Sequence, residues 1–441
     1  MPSRVSDPGV SLNQINKVLE KAAERVIDAR GSDPNVSRKD IQQKLKTLDG
    51  EEKALVDLFY RFTDHRDPRP GARVTETDVK STLEYAKEKL IKRLDANGDE
   101  KLNNDEIGRM SRIGKLAASI ARKAEGTTAP TPPPAPAAQY GAELDAAIAK
   151  GFVSIDTKAG KISAFRVTSD FESPAPTTLV KAILDLPNPR QLESVKLGLI
   201  NEWDSHDSYP KALDELVKKG PHDKLKSVVI GDFEYPDESE ISWVNIGNVS
   251  SIFTTAPNLK ELRVQGGGIE LGKLESAKLE KLTLHTGGLP AGAVQSLADA
   301  NLPKLARLEV WLGAEEYGAG GSAAMLAKLF EGTGYPKLKQ LGLMNSEFSD
   351  DLAKALPSSK ILKQLETLDL SMGTLTKAGA LAIIENKAKF EHLKKLDLSD
   401  NFLDAETQAA LKAALPGVVT IGVQDKLDPS DPDYRYVSVG E

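Results

Sequence analysis

The sequence predicts an α/β fold in its longer, later part, preceded by a smaller all-α unit. Three observations lead there. An apolar frame of the form Leu-x-x-Leu-x-Leu recurs from Leu192 onward. A proline-rich stretch separates that region from what comes before. Ahead of the stretch, apolar residues fall at helical spacing instead. At 441 residues the chain has room for several domains of roughly 100–200 residues each.

The helical part comes first. Residues 11–30 carry Leu12, Ile15, Val18, Leu19, Ala22 and Val26 along one face of a helix. Further helical stretches are expected near 38–48, 50–63, 76–94 and 104–123, with Gly, Pro, Asp and Asn in the breaks. These define a unit over residues 8–125. Residues 126–138, with Pro130, Pro132, Pro133, Pro134 and Pro136, cannot build a core. Such a segment tends toward extended polyproline II and reads as a semi-rigid linker. Residues 139–441 form the remainder, including its caps.

Within the helical unit, residues 95–106 run Asp-Ala-Asn-Gly-Asp-Glu-Lys-Leu-Asn-Asn-Asp-Glu. Asp95, Asn97 and Asp99 offer side-chain oxygens at the first, third and fifth positions. Lys101 offers a backbone carbonyl at the seventh, Asn103 stands at the ninth, and Glu106 at the twelfth can bind with both oxygens. Calcium is a hard cation that takes six to eight oxygen ligands, and this spacing delivers them from one tight loop. Leu90, Ile91 and Leu94 before the loop, and Ile107, Met110 and Ile113 after it, give the flanking helices apolar faces. The alternative is a surface turn rich in Asp and Asn that holds no metal.

The loop with its flanking helices resembles an EF-hand. One position departs from that pattern: Glu100 stands sixth, where glycine normally allows a sharp bend. A non-glycine residue in that conformation costs on the order of 1 kcal/mol, which weakens calcium binding about tenfold. The frames Val36-Ser37-x-x-Asp40 and Val74-Thr75-x-x-Asp78 repeat Leu102-Asn103-x-x-Glu106 without its ligands. They are expected to be degenerate sister loops, leaving one calcium site, structural or regulatory, and no obvious local partner for the loop of Leu102.

After the linker, the apolar frame starts at Leu192, Leu225, Leu259, Leu279, Leu305, Leu338, Leu365 and Leu393, with Val418 as a ninth copy. Each copy predicts a short strand whose aliphatics face inward, followed by a helical return such as 378–385 or 405–414. The pattern resembles the leucine-rich-repeat family, in the ribonuclease-inhibitor-like and divergent bacterial style. The resemblance implies a stacked horseshoe solenoid, since one repeat cannot bury its own leucines. Asn401 fills the asparagine position of that pattern; Ser346, Gly373 and Gly287 fill it poorly. Residues 139–190 are assigned to an N-terminal cap and the acidic tail to Val439 to a C-terminal one.

Residues between the inward aliphatics should line the inner, concave curve. They include Arg263 and Gln265, His285, Glu309 and Trp311, Met344, Asp369 and Asp397. Trp311 beside Met344 makes an apolar spot on a polar face, the composition of a protein-binding hot spot. Trp311 could instead fold down against the loop near Tyr317. The expected function is therefore that of a non-enzymatic scaffold or adaptor, holding a protein partner on this face. An enzyme with its site in the repeat loops or a cap, and a metal-free scaffold, are the other readings.

Composition trims the chemistry. With no cysteine, disulfides, thiolate metal sites and cysteine nucleophiles are excluded. A net charge of −7 argues against general nucleic-acid binding. Residues 1–125 carry a net +3 and the rest −10, so the two parts present different surfaces. The nucleotide-binding loop GxxxxGK[ST], HExxH and GxSxG are all missing. The Gly318–Ser322 turn and the run Asp204–Asp207 are weak hints of anion binding and of catalysis. The sequence shows neither an apolar run long enough to span a membrane nor a secretory leader, and a cytoplasmic location is expected.

Overall fold

The computed structural model describes residues 10–30, 101–102, 117–121, 139–169, 174–187, 190–200, 208–236, 238–425 and 434–440, with isolated positions between 55 and 87. Contacts divide the chain into two units, Met1–Pro136 and Ala137–Glu441. The division falls inside the proline-rich stretch.

In the first unit a helix runs Leu12–Arg30. Its buried residues are Ile15, Leu19, Ala22, Ala23 and Val26, the face expected from their spacing. Strand β1, Val10–Ser11, leads directly into this helix. It pairs antiparallel with β2, Lys101–Leu102, matching Val10 with Leu102 and Ser11 with Lys101. The loop of Leu102 therefore finds its partner within the same chain, at Val10. The helical stretches expected near 38–48 and 50–63 fall almost wholly outside the described residues, as do the frames at Val36 and Val74.

The second unit is a mixed α/β structure built on an eleven-stranded sheet. It opens with an antiparallel hairpin, β3 (Val153–Lys158) and β4 (Lys161–Val167). Ala159 and Gly160 both take positive φ in the connecting turn, the two-residue geometry that matches strand twist. Every later pairing in the sheet is parallel: β5 (Arg190–Leu197), β6 (Ser227–Ile230), β8 (Glu261–Gln265), β10 (Lys281–His285), β11 (Arg307–Gly313), β12 (Gln340–Ser346), β13 (Thr367–Asp369), β14 (Lys395–Asp397) and β15 (Val419–Thr420). The strands lie in chain order with no strand inserted out of turn. A small parallel pair, β7 (Asn245–Asn248) with β9 (Gly267–Glu270), stands beside it.

Register explains the core. Val195, Val228, Leu262, Leu282, Leu308, Leu341, Leu368 and Leu396 sit opposite one another across eight strands. All are buried. Two residues on, Leu197, Ile230, Val264, Leu284, Val310 and Leu343 form a second row by the period-two alternation of a strand. Parallel neighbours need a crossover, and helices such as Pro176–Asp185, Tyr209–Lys219, Ala291–Ala298, Lys377–Glu385 and Ala405–Ala414 supply it. Their apolar sides join the same core, with Ile183, Leu216, Leu297, Ile383 and Leu411 fully buried. Thr376 and Asp404 cap the last two helices by accepting from the amides of Ala378 and Thr407.

The ninth copy of the apolar frame is corrected by the structure. Its register places Val419, not Ile421, opposite Leu396. Val423, expected to point inward, is 78% exposed. The preceding helix ends at Ala414 and the chain turns at Gly417, so the strand begins too soon for the frame to hold.

Candidate partner-binding face

Residues that alternate with the core rows lie on the opposite face of the sheet. One line runs Arg166, Lys196, Val229, Arg263, Thr283, Glu309, Gly342, Asp369 and Asp397. Basic groups stand on its early strands and acidic groups on its late ones. Arg166 bonds Asp232 at 2.7 Å, and Lys196 reaches the same carboxylate at 3.7 Å. A second line, two residues further along each strand, contains Gln265 beside His285 and Trp311 beside Met344.

The centre of the face is a linked cluster. The His285 ring stacks on Trp311 with centroids 4.1 Å apart and planes 16° from parallel. His285 Nε2 lies 2.7 Å from Glu309 Oε1, and Arg307 bonds the other Glu309 oxygen. The bond to His285 draws the Glu309 carboxyl down to about 2; burial opposes this, and Arg307 adds to it. Trp311 is half-buried and packs against the core, and its indole nitrogen makes no hydrogen bond among the described residues. The stacking on His285 fixes one face of the indole.

Gly342 lets the Met344 side chain pack close beside this cluster. It stands in line between Glu309 and Asp369, where a Cβ would lie 3.3 Å from Met344 Sδ. Asp369 accepts from the amide of Ser371 at 3.0 Å. Burial raises its carboxyl above the ordinary range, and the charge of Asp397 pushes the same way. Burial would raise Asp397 as well, but Lys395 at 2.8 Å and the bonds from Ser399 outweigh it and hold that carboxyl low.

Gln265 is a correction. Alternation places it on the open face, yet it is only 3% exposed. Its amide nitrogen donates to the carbonyl of Phe233 at 2.7 Å, and its oxygen accepts from Arg263. The loop that follows β6 closes over it, so its polar capacity is used inside the molecule. Arg263, His285, Glu309, Trp311, Met344, Asp369 and Asp397 are half-buried, on the face opposite the core rows.

Of the calcium-loop residues, only Lys101 is described. Its side chain is exposed, and its strand pairs with Val10–Ser11. Asp95, Asn97, Asp99, Asn103 and Glu106 lie outside the described residues, as does Glu100. Among the described residues no group of three or more His, Asp or Glu side chains could hold a metal. Sequence reasoning missed Val10 as the pairing partner. The signal was present: Val10-Ser11-x-x-Gln14 repeats the order apolar, polar, then acid or amide three residues on.

The Gly318–Ser322 turn does a packing job. Gly320 abuts Ala291, and Gly321 abuts Val294 and Phe348. The helix beyond it, Ala327–Glu331, is a short one of five residues. The run Asp204–Asp207 lies outside the described residues.

No family model and no curated protein matches the chain. Among solved structures it is similar to a protein from Bacteroides fragilis, determined as a structural-genomics target. The two are 27% identical, with a TM-score of 0.51, over 59% of this chain and 72% of that one. The likeness agrees with a mixed α/β fold. Among the described residues no helix is long and apolar enough to cross a membrane.

Proposed function

We propose that this chain is a non-enzymatic binding protein, a leucine-rich-repeat solenoid that holds a protein partner on its strand face around Trp311. The observation that carries the reading is the His285–Trp311–Glu309 cluster with Met344 beside it. A half-buried aromatic held by stacking is rigid before binding, so little side-chain entropy is lost when a partner covers it. Tryptophan is among the residues that dominate measured interface energies. The in-order parallel strands and the fully buried Asn401 support the solenoid. Asn401 donates to the carbonyl of Leu370 and accepts from the amide of Leu375, tying neighbouring turns together. Affinity capture from native lysate with wild type and with Trp311→Ala tests the face. A partner retained equally by both removes it; loss of at least tenfold in retention supports it, matching a hot-spot cost of about 2 kcal/mol.

The same proposal gives the first unit one calcium ion. The donor set Asp95, Asn97, Asp99, Asn103 and Glu106, with the carbonyl of Lys101, suits a hard cation and contains no soft ligand. The pairing of Lys101–Leu102 with the strand that opens the first helix is what a paired EF-hand requires, and it supports this reading. Whether the ion is a fixed support or a sensor is answered by running the capture with and without chelator. Calorimetry with calcium on wild type and Glu106→Gln tests the site itself. Heat of binding in wild type, lost or weakened in the variant, is the expected result; equal and negligible heats in both remove it.

A further inference from the structure

Asn345 behaves unlike Asn401. Both are fully buried near the ends of strands. Asn401 spends its amide on the adjacent loops, at Leu370, Leu398 and Leu375. Asn345 turns its amide to a segment 94 residues away. Its Nδ2 donates to the carbonyl of Val439 at 2.6 Å, and its Oδ1 accepts from the Val439 amide at 2.9 Å. One side chain thus satisfies both main-chain groups of a single residue. Beside it, the amide of Ser438 donates to the carbonyl of Met372 at 3.0 Å.

The segment Tyr434–Gly440 therefore lies across the ends of strands β10 to β13. This differs from the cap expected over the far edge, beyond β15. Val437 and Val439 are buried, and Val439 joins the main core. Tyr436 shares a hydrogen bond with Tyr317. The fit at Gly440 is close: a Cβ on Gly287 would lie 1.7 Å from the Gly440 carbonyl oxygen, and a Cβ on Gly440 would lie 2.7 Å from the Tyr317 ring. The strands beneath pair with one another through other residues.

We propose that the rim formed by Gly287, Tyr317, Asn345 and Met372 is a peptide-binding slot, and that Tyr434–Gly440 is its resident and exchangeable ligand. The slot reads a peptide bent at the position of Ser438 through its main chain, at Asn345 and the Met372 carbonyl. It selects β-branched side chains at the positions of Val437 and Val439, and glycine where Gly287 and Tyr317 approach most closely. Main-chain pairing with alternate side chains in pockets is the general mode by which extended peptides are recognised. A tethered ligand acts at an effective concentration of about 1 mM, so a free peptide of the same sequence competes poorly until the resident segment leaves. This inference is independent of the partner face and of calcium.

The test uses the full chain and a fluorescent peptide spanning Tyr434–Glu441. In a Val437→Asp, Val439→Asp variant the resident segment is released while the slot keeps its residues. The peptide should bind this variant at least tenfold more tightly than wild type. Adding Asn345→Gly, which suits the positive φ of 53° at that position and removes only the side chain, should abolish the gain. Failure of the peptide to bind the released variant any better than wild type overturns the proposal. Wild type gives a second measurement, needing no variant. The amides of Ser438 and Val439 should exchange with solvent at least a hundredfold faster than those of Leu282 and Leu308. Exchange of all four at one common rate would make the segment an integral part of the fold and overturn the proposal.

Discussion

At the scale of single residues, Glu309 is the most consequential group on the strand face. It holds His285, which holds Trp311, and it is anchored from the other side by Arg307. Its carboxyl sits at about 2, below the ordinary 4.5. A lowered carboxylate contributes stability that is complete above its unfolded range and lost as pH falls through its folded value. Glu309→Gln should therefore flatten the slope of stability against pH between about 4.5 and 2, read by urea unfolding at several pH values. Parallel slopes for wild type and variant would show that the pair contributes nothing. Residue identity told part of this story. Alternation along the strand put His285, Glu309 and Trp311 on one face, and that much was legible. It could not foresee Gln265 being covered, because the Phe233 loop that covers it arrives from a different repeat. Nor could it foresee the stacking, which depends on side-chain torsions rather than on spacing.

Elements were more legible than residues, for a physical reason. An inward aliphatic at every second position fixes a strand's register, since a slip of one residue would turn all its leucines to water. Eight copies of the frame became strands, with one row of aliphatics aligned across all eight and a second across six. The ninth failed because residue type alone does not reveal where the chain turns, and the turn at Gly417 decides where β15 begins. The contrast is measurable. Leu308→Ala empties a fully buried site between two strands and should cost about 2–5 kcal/mol. Val423→Ala, at the third position of the frame by sequence but largely exposed, should stay within about 0.5 kcal/mol. Chemical denaturation of the two variants separates register from mere composition. The pairing of Val10 with Leu102 shows the opposite limit. A two-residue strand carries almost no periodic signal, so only a matching frame at both ends could have announced it.

For the molecule as a whole, contacts divide the chain between Pro136 and Ala137, inside the proline-rich stretch that composition marks out. The return of Tyr434–Gly440 to Asn345 is not marked out in this way, because nothing in a short valine-rich stretch names its distant host. The strict chain order of the strands carries a mechanical consequence. Once the Tyr434–Gly440 segment is freed from Asn345 and Met372, each strand grips only its two neighbours in the sheet, so a load applied across the unit finds no central lock to break. Stretched in an optical trap, it should yield in a series of small, similar steps, each freeing one copy of the frame. At about 3.4 Å per extended residue and roughly 20–34 residues per copy, each step should lengthen the chain by on the order of 100 Å. A single rip releasing the whole unit at once would mean that the neighbours share their strength far more widely than their pairing suggests.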